Sequence, residues 1–354
     1  MDPSALIPAA SPIQVPWGWF EALLIFTFIV HLLFMNAVLG GALITLVSQV
    51  KNKGPDPMPG EELYAKLPTT LALTVNMGVP PFLFLQVLYG PFIYSSSLLM
   101  STIWLSLIGL LIIGYYGLYL HYLKHEKLGS GRNLVLAFSV LILLWVAFVF
   151  TNNMTLMLHP QRWLAYFAGK GGTLLNLGDP TLVPRYLHFI TASVAVGGLF
   201  LALIWYIRGK KGVAGADEKV AWGLKWFSYA TVVQLFIGLW FFISLPHQVM
   251  LHFLGGSGLH TAALLLSLVG AAAALFFGFK GRLVPTLVSL VATVSLMVMV
   301  RALLRAAYLE PYFKVADLSV RPQYSPLILF LVSLVIGSLV VLYMLRIYPL
   351  GRKD

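Results

Sequence analysis

The chain has 354 residues, of which 59% are hydrophobic and only 10% charged. Soluble domains carry about 25% charged residues, so this composition excludes an ordinary water-soluble surface and points to lipid, where the outside of a fold need not be polar. The net charge of +11 could suggest a nucleic-acid binder, but the cations sit in short loops between apolar runs, which reads as topology signalling.

A membrane-spanning helix needs about 20 apolar residues. In chain order the sequence predicts nine: residues 17–48, 67–94, 98–120, 134–158, 186–207, 226–252, 259–279, 283–306 and 325–346. Trp17, Trp19 and Phe20 make an aromatic entry to the first. Met1 to Pro16 is short, Pro-rich and without a basic start, so the first span itself serves as the insertion signal. The whole chain, 1–354, reads as a single integral membrane domain. The fold class is all-α, a polytopic transmembrane helix bundle of about nine helices.

Charge then orients it. With the N-terminus outside, the inner segments hold 16 cations: Lys51, Lys53, Lys66, Lys124, Lys127, Arg132, Arg208, Lys210, Lys211, Lys219, Lys225, Lys280, Arg282, Arg346, Arg352 and Lys353. The outer segments hold 7: Arg162, Lys170, Arg185, Arg301, Arg305, Lys314 and Arg321. This asymmetry predicts an outer N-terminus and a cytoplasmic C-terminus.

The absence of cysteine excludes disulfides, thiolate metal sites and covalent c-type haem, and leaves His, Met and carboxylates as ligands. Polar residues at depth are expensive, so each asks for a reason. His31 lies mid-span, where it could bond a neighbouring helix, ligate haem iron or relay protons. His188 opens the fifth span after Pro184 and Arg185, and small residues follow at Ala192, Ser193, Ala195, Gly197 and Gly198. Those small residues suit close approach of a flat macrocycle or of another helix. Arg185, one turn outward, could meet a haem propionate.

In the eighth span Met297 and Arg301 share a helix face that Arg305 continues, and Met299 lies near the same depth on another face. This suits His/Met ligation of a low-spin haem, against the plainer role of methionine as core filler. His247, His252 and His260 read as interfacial or as a partner surface, with His252 as an alternative to methionine as the sixth haem ligand. His121 and His125, beside Lys124 and Lys127, read as solvated or headgroup-facing. Of the twelve acidic residues only Glu21 falls within an apolar span.

Four strings carry a family resemblance. His31-Leu32-Leu33-Phe34 runs on to Leu39-Gly40. Asn76-Met77-Gly78-Val79 is followed by Tyr89-Gly90. Leu144-Trp145 leads through Thr151-Asn152-Asn153-Met154 to His159-Pro160. Tyr186-Leu187-His188-Phe189 leads to Ala192 and Gly197. In this order, over roughly 17–208, they resemble the first, second, fourth and fifth helices of subunit I of cytochrome bd-type ubiquinol oxidases. The chain departs from that family in four places. Residues 98–120 lack the third helix's two glutamates, Gln86 replaces an acidic position, the long quinol loop is reduced to Gly255-Gly256-Ser257-Gly258, and the family's G-R-Q-P-W string is missing.

The resemblance implies a haem b bound by His188 with Met297 or Met299 and a second haem at His31. Arg185, Arg301 and Arg305 would take propionates. The haem-binding core would lie within 17–208 plus the helix at 283–306. It further implies an electron-transfer subunit in the cell inner membrane that exchanges electrons with quinone or quinol. Its partners would be other redox subunits, such as a c-type cytochrome on the outer face. The alternatives are an active terminal oxidase reducing oxygen and a haem-free transporter or structural subunit.

Overall fold

The computed structural model describes residues 3–52, 54, 57–129, 131–169 and 171–347. Met1 and four of the cations used for orientation, Lys53, Lys170, Arg352 and Lys353, lie outside the described residues. The fold is helical throughout: α1 Trp17–Lys51, α2 Leu67–Leu99, α3 Ser101–Leu123, α4 Gly131–Met157, α5 Leu182–Lys210, α6 Ala216–Ile243, a short α7 His247–Leu251, α8 Gly258–Phe279, α9 Leu283–Leu309 and α10 Ser325–Ile347.

All except α7 are long and apolar enough to cross a membrane, which makes nine candidate spans among the described residues. An odd number puts the two chain ends on opposite sides of the bundle. We call these the N-terminal side, where α1 begins, and the C-terminal side.

Eight of the nine predicted spans match their helices to within a few residues. The sixth is displaced. Predicted at 226–252, it runs from Ala216 to Ile243. Pro246 has no N–H to continue the helix, so the chain breaks there and restarts as α7. The apolar run continued past the break, while the start of α6 is too rich in charge to register by hydropathy.

Glycine sets the packing. A Cβ on Gly40 of α1 would lie 1.7 Å from the Ser193 carbonyl oxygen of α5, and one on Gly197 would lie 2.5 Å from the Gly40 carbonyl carbon. The same device recurs between α5 and α6, where Gly198 meets the Gly223 oxygen at 2.7 Å. Close backbone approach through small residues is how helices associate in lipid, which offers no hydrophobic drive. Ser193 Oγ seals the first crossing by donating to Asn36 Oδ1 at 2.9 Å. The small residues of α5 therefore serve helix packing rather than open space for a macrocycle.

α2 contains Pro80, Pro81 and Pro91, and its backbone leaves helical geometry at Tyr89 (φ −124°, ψ 28°). Pro91 removes a donor and crowds the preceding turn, and the resulting kink sits under the Tyr89-Gly90 step. At the far end of the chain, α10 buries none of its residues against the rest. An apolar helix exposed all round is compatible with lipid and with little else.

Two glycine substitutions test this packing. Gly40→Leu is expected to destabilise the fold by about 3 kcal/mol or more, because the obstacle is backbone. Gly109→Ala, on α3 with nothing within 4 Å, is expected to stabilise it by about 0.5–1 kcal/mol. Thermal unfolding in detergent reads both.

Candidate functional site

Three arginines converge near the N-terminal side. Arg185 from the first turn of α5 and Arg301 and Arg305 from α9 line one small cavity of about 20 Å³. Its remaining walls are Leu304 and the end of α4, at Met154, Met157 and Leu158. Each guanidinium lies over an aromatic ring. Arg185 is 4.8 Å from the Phe241 centroid, Arg301 is 4.5 Å from Phe28 and 5.5 Å from Phe189, and Arg305 is 4.3 Å from Tyr89. The α2 kink brings Tyr89 to that position. Such contacts contribute about 0.5–2 kcal/mol each, with the larger values where water is excluded.

Among the described residues Glu21 is the one carboxylate that forms an ion pair with any of the three cations, and Asp179 acts on Arg185 at longer range. Arg305 Nη2 donates to Glu21 Oε1 at 3.3 Å, with both side chains largely buried. Arg185 Nε and Nη2 and Arg305 Nε are buried without a hydrogen-bond partner. Buried guanidinium donors left unmatched are expensive, so the cavity presents donors and positive charge for an anion.

The two intramembrane histidines flank this cluster. His31 lies about 21 Å along α1 and His188 about 9 Å along α5, each measured from the end on the N-terminal side. His31 Nδ1 donates to the Thr74 carbonyl at 3.1 Å, which fixes the tautomer and leaves Nε2 as the lone-pair nitrogen. Its ring rests where a Cβ on Gly78 would be, 2.9 Å from Cε1. His188 rests similarly against Gly238 of α6, at 3.3 Å, and its Nδ1 is buried without a partner. Glycine opposite an imidazole keeps the ring's face free of side-chain crowding.

It is the donor chemistry, rather than open space, that suits a haem: a histidine with its second nitrogen committed to a carbonyl, a second with an orphaned nitrogen, and unmatched cationic donors of the kind that take carboxylates. Met297 is half-buried on α9, whereas Met299 is 38% exposed. The thioethers that line the arginine cavity belong to Met154 and Met157. Among the described residues no group of three or more His, Asp or Glu is placed to chelate an ion.

Polar residues of α4 and the loop to α5 seat Arg185. Asn152 Oδ1 accepts from the Asn176 backbone N–H at 2.8 Å, and Asn176 Nδ2 donates to Thr155 Oγ1 and Asp179 Oδ2. Asp179 Oδ1 accepts from the Thr181 backbone N–H and hydroxyl at 2.7 and 2.6 Å, just before α5. His159 Nδ1 donates to Thr155 O at 2.9 Å and lies 3.1 Å from Asp179 Oδ2. The Asn-Asn and His-Pro strings are thus the scaffold of the loop. Of the other histidines, His252 in the turn before α8 and His260 in the first turn of α8 have ring centroids 5.3 Å apart, tilted by 33°, with His252 3.9 Å from Glu310. His247 is exposed.

A second polar cluster lies on the C-terminal side, and it overturns one expectation. His121 is fully buried and shares a 3.2 Å hydrogen bond with the Gln49 carboxamide; it is neither solvated nor headgroup-facing. The loop after α1 folds over it. Tyr64 stacks on His125 at 4.0 Å, Arg132 Nη1 donates to His125 Nε2 at 3.2 Å, and Arg132 reaches Glu61 at 3.7 Å. Neighbouring Lys residues marked this helix end as wet, because the covering loop is invisible to a local pattern.

Comparison of the chain with protein-family models, with curated proteins and with solved structures yields no match.

Burial first, and then the Arg132 guanidinium, hold the His125 imidazole below the ordinary histidine value, against the opposing pull of Glu61 and Glu126. The unfolded chain therefore binds this proton more readily than the folded one, and stability falls as pH drops below about 6.5. Thermal stability is expected to decline from pH 7.5 to pH 5.5, and His125→Phe is expected to flatten that decline. An unchanged slope in the variant would assign the effect elsewhere.

Proposed function

We propose that this chain is a haem b-carrying electron-transfer subunit of the cell inner membrane, similar to subunit I of cytochrome bd-type quinol oxidases. It would exchange electrons between a quinone pool and a partner such as a c-type cytochrome on the outer face. The observation that carries this reading is the arginine triad: three buried guanidiniums, one carboxylate and unmatched donors, within the same end of the bundle as His188.

His188 and Met297 would be the residues that hold the iron of a low-spin haem. The half-buried position of Met297 supports it over the exposed Met299. Arg185, Arg301 and Arg305 would neutralise the propionates, and Glu21 would keep Arg305 oriented. His31, its Nδ1 committed to Thr74, would hold a second haem through Nε2. When bound, haem supplies one-electron chemistry by cycling its iron between ferrous and ferric. The buried guanidiniums would disfavour the more positive, oxidised state of the site relative to the reduced one, and so would raise its potential.

Reduced-minus-oxidised spectra of the purified protein test the reading. A b-type signal is expected in the native chain, with its low-spin component lost in His188→Ala. Met297→Leu is expected to change the spin state, whereas Met299→Leu and Met154→Leu leave it unchanged. Arg301→Gln is expected to lower the midpoint potential. A native protein that binds no haem would sink the proposal. Oxygen consumption with quinol that disappears in His31→Ala would instead favour a terminal oxidase.

The orientation rests on the excess of cations in the C-terminal-side segments. A reporter active only in the cytoplasm, inserted at the Gly212–Gly215 turn between α5 and α6, is expected to be active. Activity from an insertion in the 171–178 loop instead would reverse the topology.

A further inference from the structure

A larger cavity lies away from the arginine cluster, open to the outside of the bundle between α5 and α6. It is a groove of about 470 Å³, walled on one side by Thr191 and Val194 and on the other by residues from Trp222 to Val233. Its wall along α6 rises about 16 Å from Trp222 to Val233, close to the roughly 15 Å hydrocarbon thickness of one leaflet.

The two ends differ in chemistry. Val233 and Ile190 close the deep end. Lys225, Trp222 and Trp226 stand at the other, toward the C-terminal side. Lys225 is exposed and forms no ion pair among the described residues. The carboxylate closest in role, Glu62, is already held by Arg208 and by Lys219 at 2.9 Å. Side chains on a helix lean toward its N-terminus, so the Lys225 stem leans to the headgroup region, where lysine snorkels.

The indoles beside it are fixed in place. Trp222 packs against the position a Cβ on Gly60 would take, at 3.0 Å; Trp226 Cβ lies 2.8 Å from the equivalent point on Gly198. The two rings lie 5.7 Å apart. Indoles at headgroup level are the usual interfacial anchors. An apolar trough one leaflet deep, with a single unmatched cation and two anchored indoles at its mouth, is shaped for one lipid molecule bearing a negative headgroup.

We propose that this groove is a specific site for an anionic phospholipid of the leaflet on the C-terminal side. One acyl chain lies along α5 and α6 and the phosphate rests on Lys225. The site is independent of the haem reading, since none of the arginine-cavity residues or the two intramembrane histidines lines it.

The full-length protein, purified in mild detergent, would be incubated with equal mole fractions of phosphatidylglycerol and phosphatidylcholine, and bound lipid counted by native mass spectrometry. Phosphatidylglycerol is expected to be retained over phosphatidylcholine by about fivefold, the effect of one basic residue at an anionic surface. Lys225→Gln should abolish the preference and Lys225→Arg should keep it. Thr191→Phe, which narrows the trough, should lower retention of both lipids. Equal retention of the two lipids by the native chain, or an undiminished preference in Lys225→Gln, would overturn the proposal. So would a stoichiometric quinone that Lys225→Gln releases. Haem spectra recorded on the same preparations separate this outcome from that of the redox reading, because Lys225 variants should leave them unaltered.

Discussion

The contact between α1 and α5 at Gly40 and Gly197 governs much of what surrounds it. Backbone touches backbone there, so the two helices approach as closely as helices can. Arg301 depends on that approach, because one of its aromatic platforms, Phe28, belongs to α1 and the other, Phe189, to α5. The α5–α6 crossing at Gly198 and Gly223 extends the arrangement and sets Gly238 opposite His188. A side chain at any of these glycines would widen the crossing and pull the rings from under the guanidinium.

Around that frame the chain accepts a large electrostatic penalty. Removing three arginines from water is costly, and ion pairing with a single carboxylate does not offset it. Aromatic faces recover part of the cost. A fold under no other demand would be more stable with apolar residues at these positions, which makes the surviving positive charge the strongest functional signal in the molecule. The network of Asn152, Asn176, Asp179 and Thr181 has a different character. Its donors and acceptors are matched, and it holds the start of α5, and so Arg185, in place.

The two sides of the bundle divide the polar chemistry between them. The N-terminal side holds unmatched guanidinium donors around a small cavity. The C-terminal side holds paired clusters: Glu62 between Arg208 and Lys219, and the His121, His125, Tyr64 and Arg132 group, in which each imidazole has Nε2 bonded and Nδ1 buried without a hydrogen-bond partner. Lys225 stands apart from these clusters, a cation at the mouth of an apolar trough with no ion pair among the described residues.

The sequence by itself determined the number of spans, most of their limits and the lipid environment. Each spanning helix satisfies its own backbone hydrogen bonds and answers to its own local hydropathy, so a local pattern suffices. It also singled out His31, His188 and the three arginines, because polar residues in an apolar run stand out without knowledge of their neighbours. The end of the sixth span was missed because hydropathy does not register the loss of a donor at Pro246. Partnership was decided only by the tertiary structure. Glu21 meets Arg305, Gly78 and Gly238 stand opposite the two imidazoles, His121 is covered by a loop, and Met154 rather than Met297 lines the arginine cavity. All of these join residues from different elements of the chain. Which helix faces meet is set by small-residue crossings and by the α2 kink, and no spacing along a single helix encodes that.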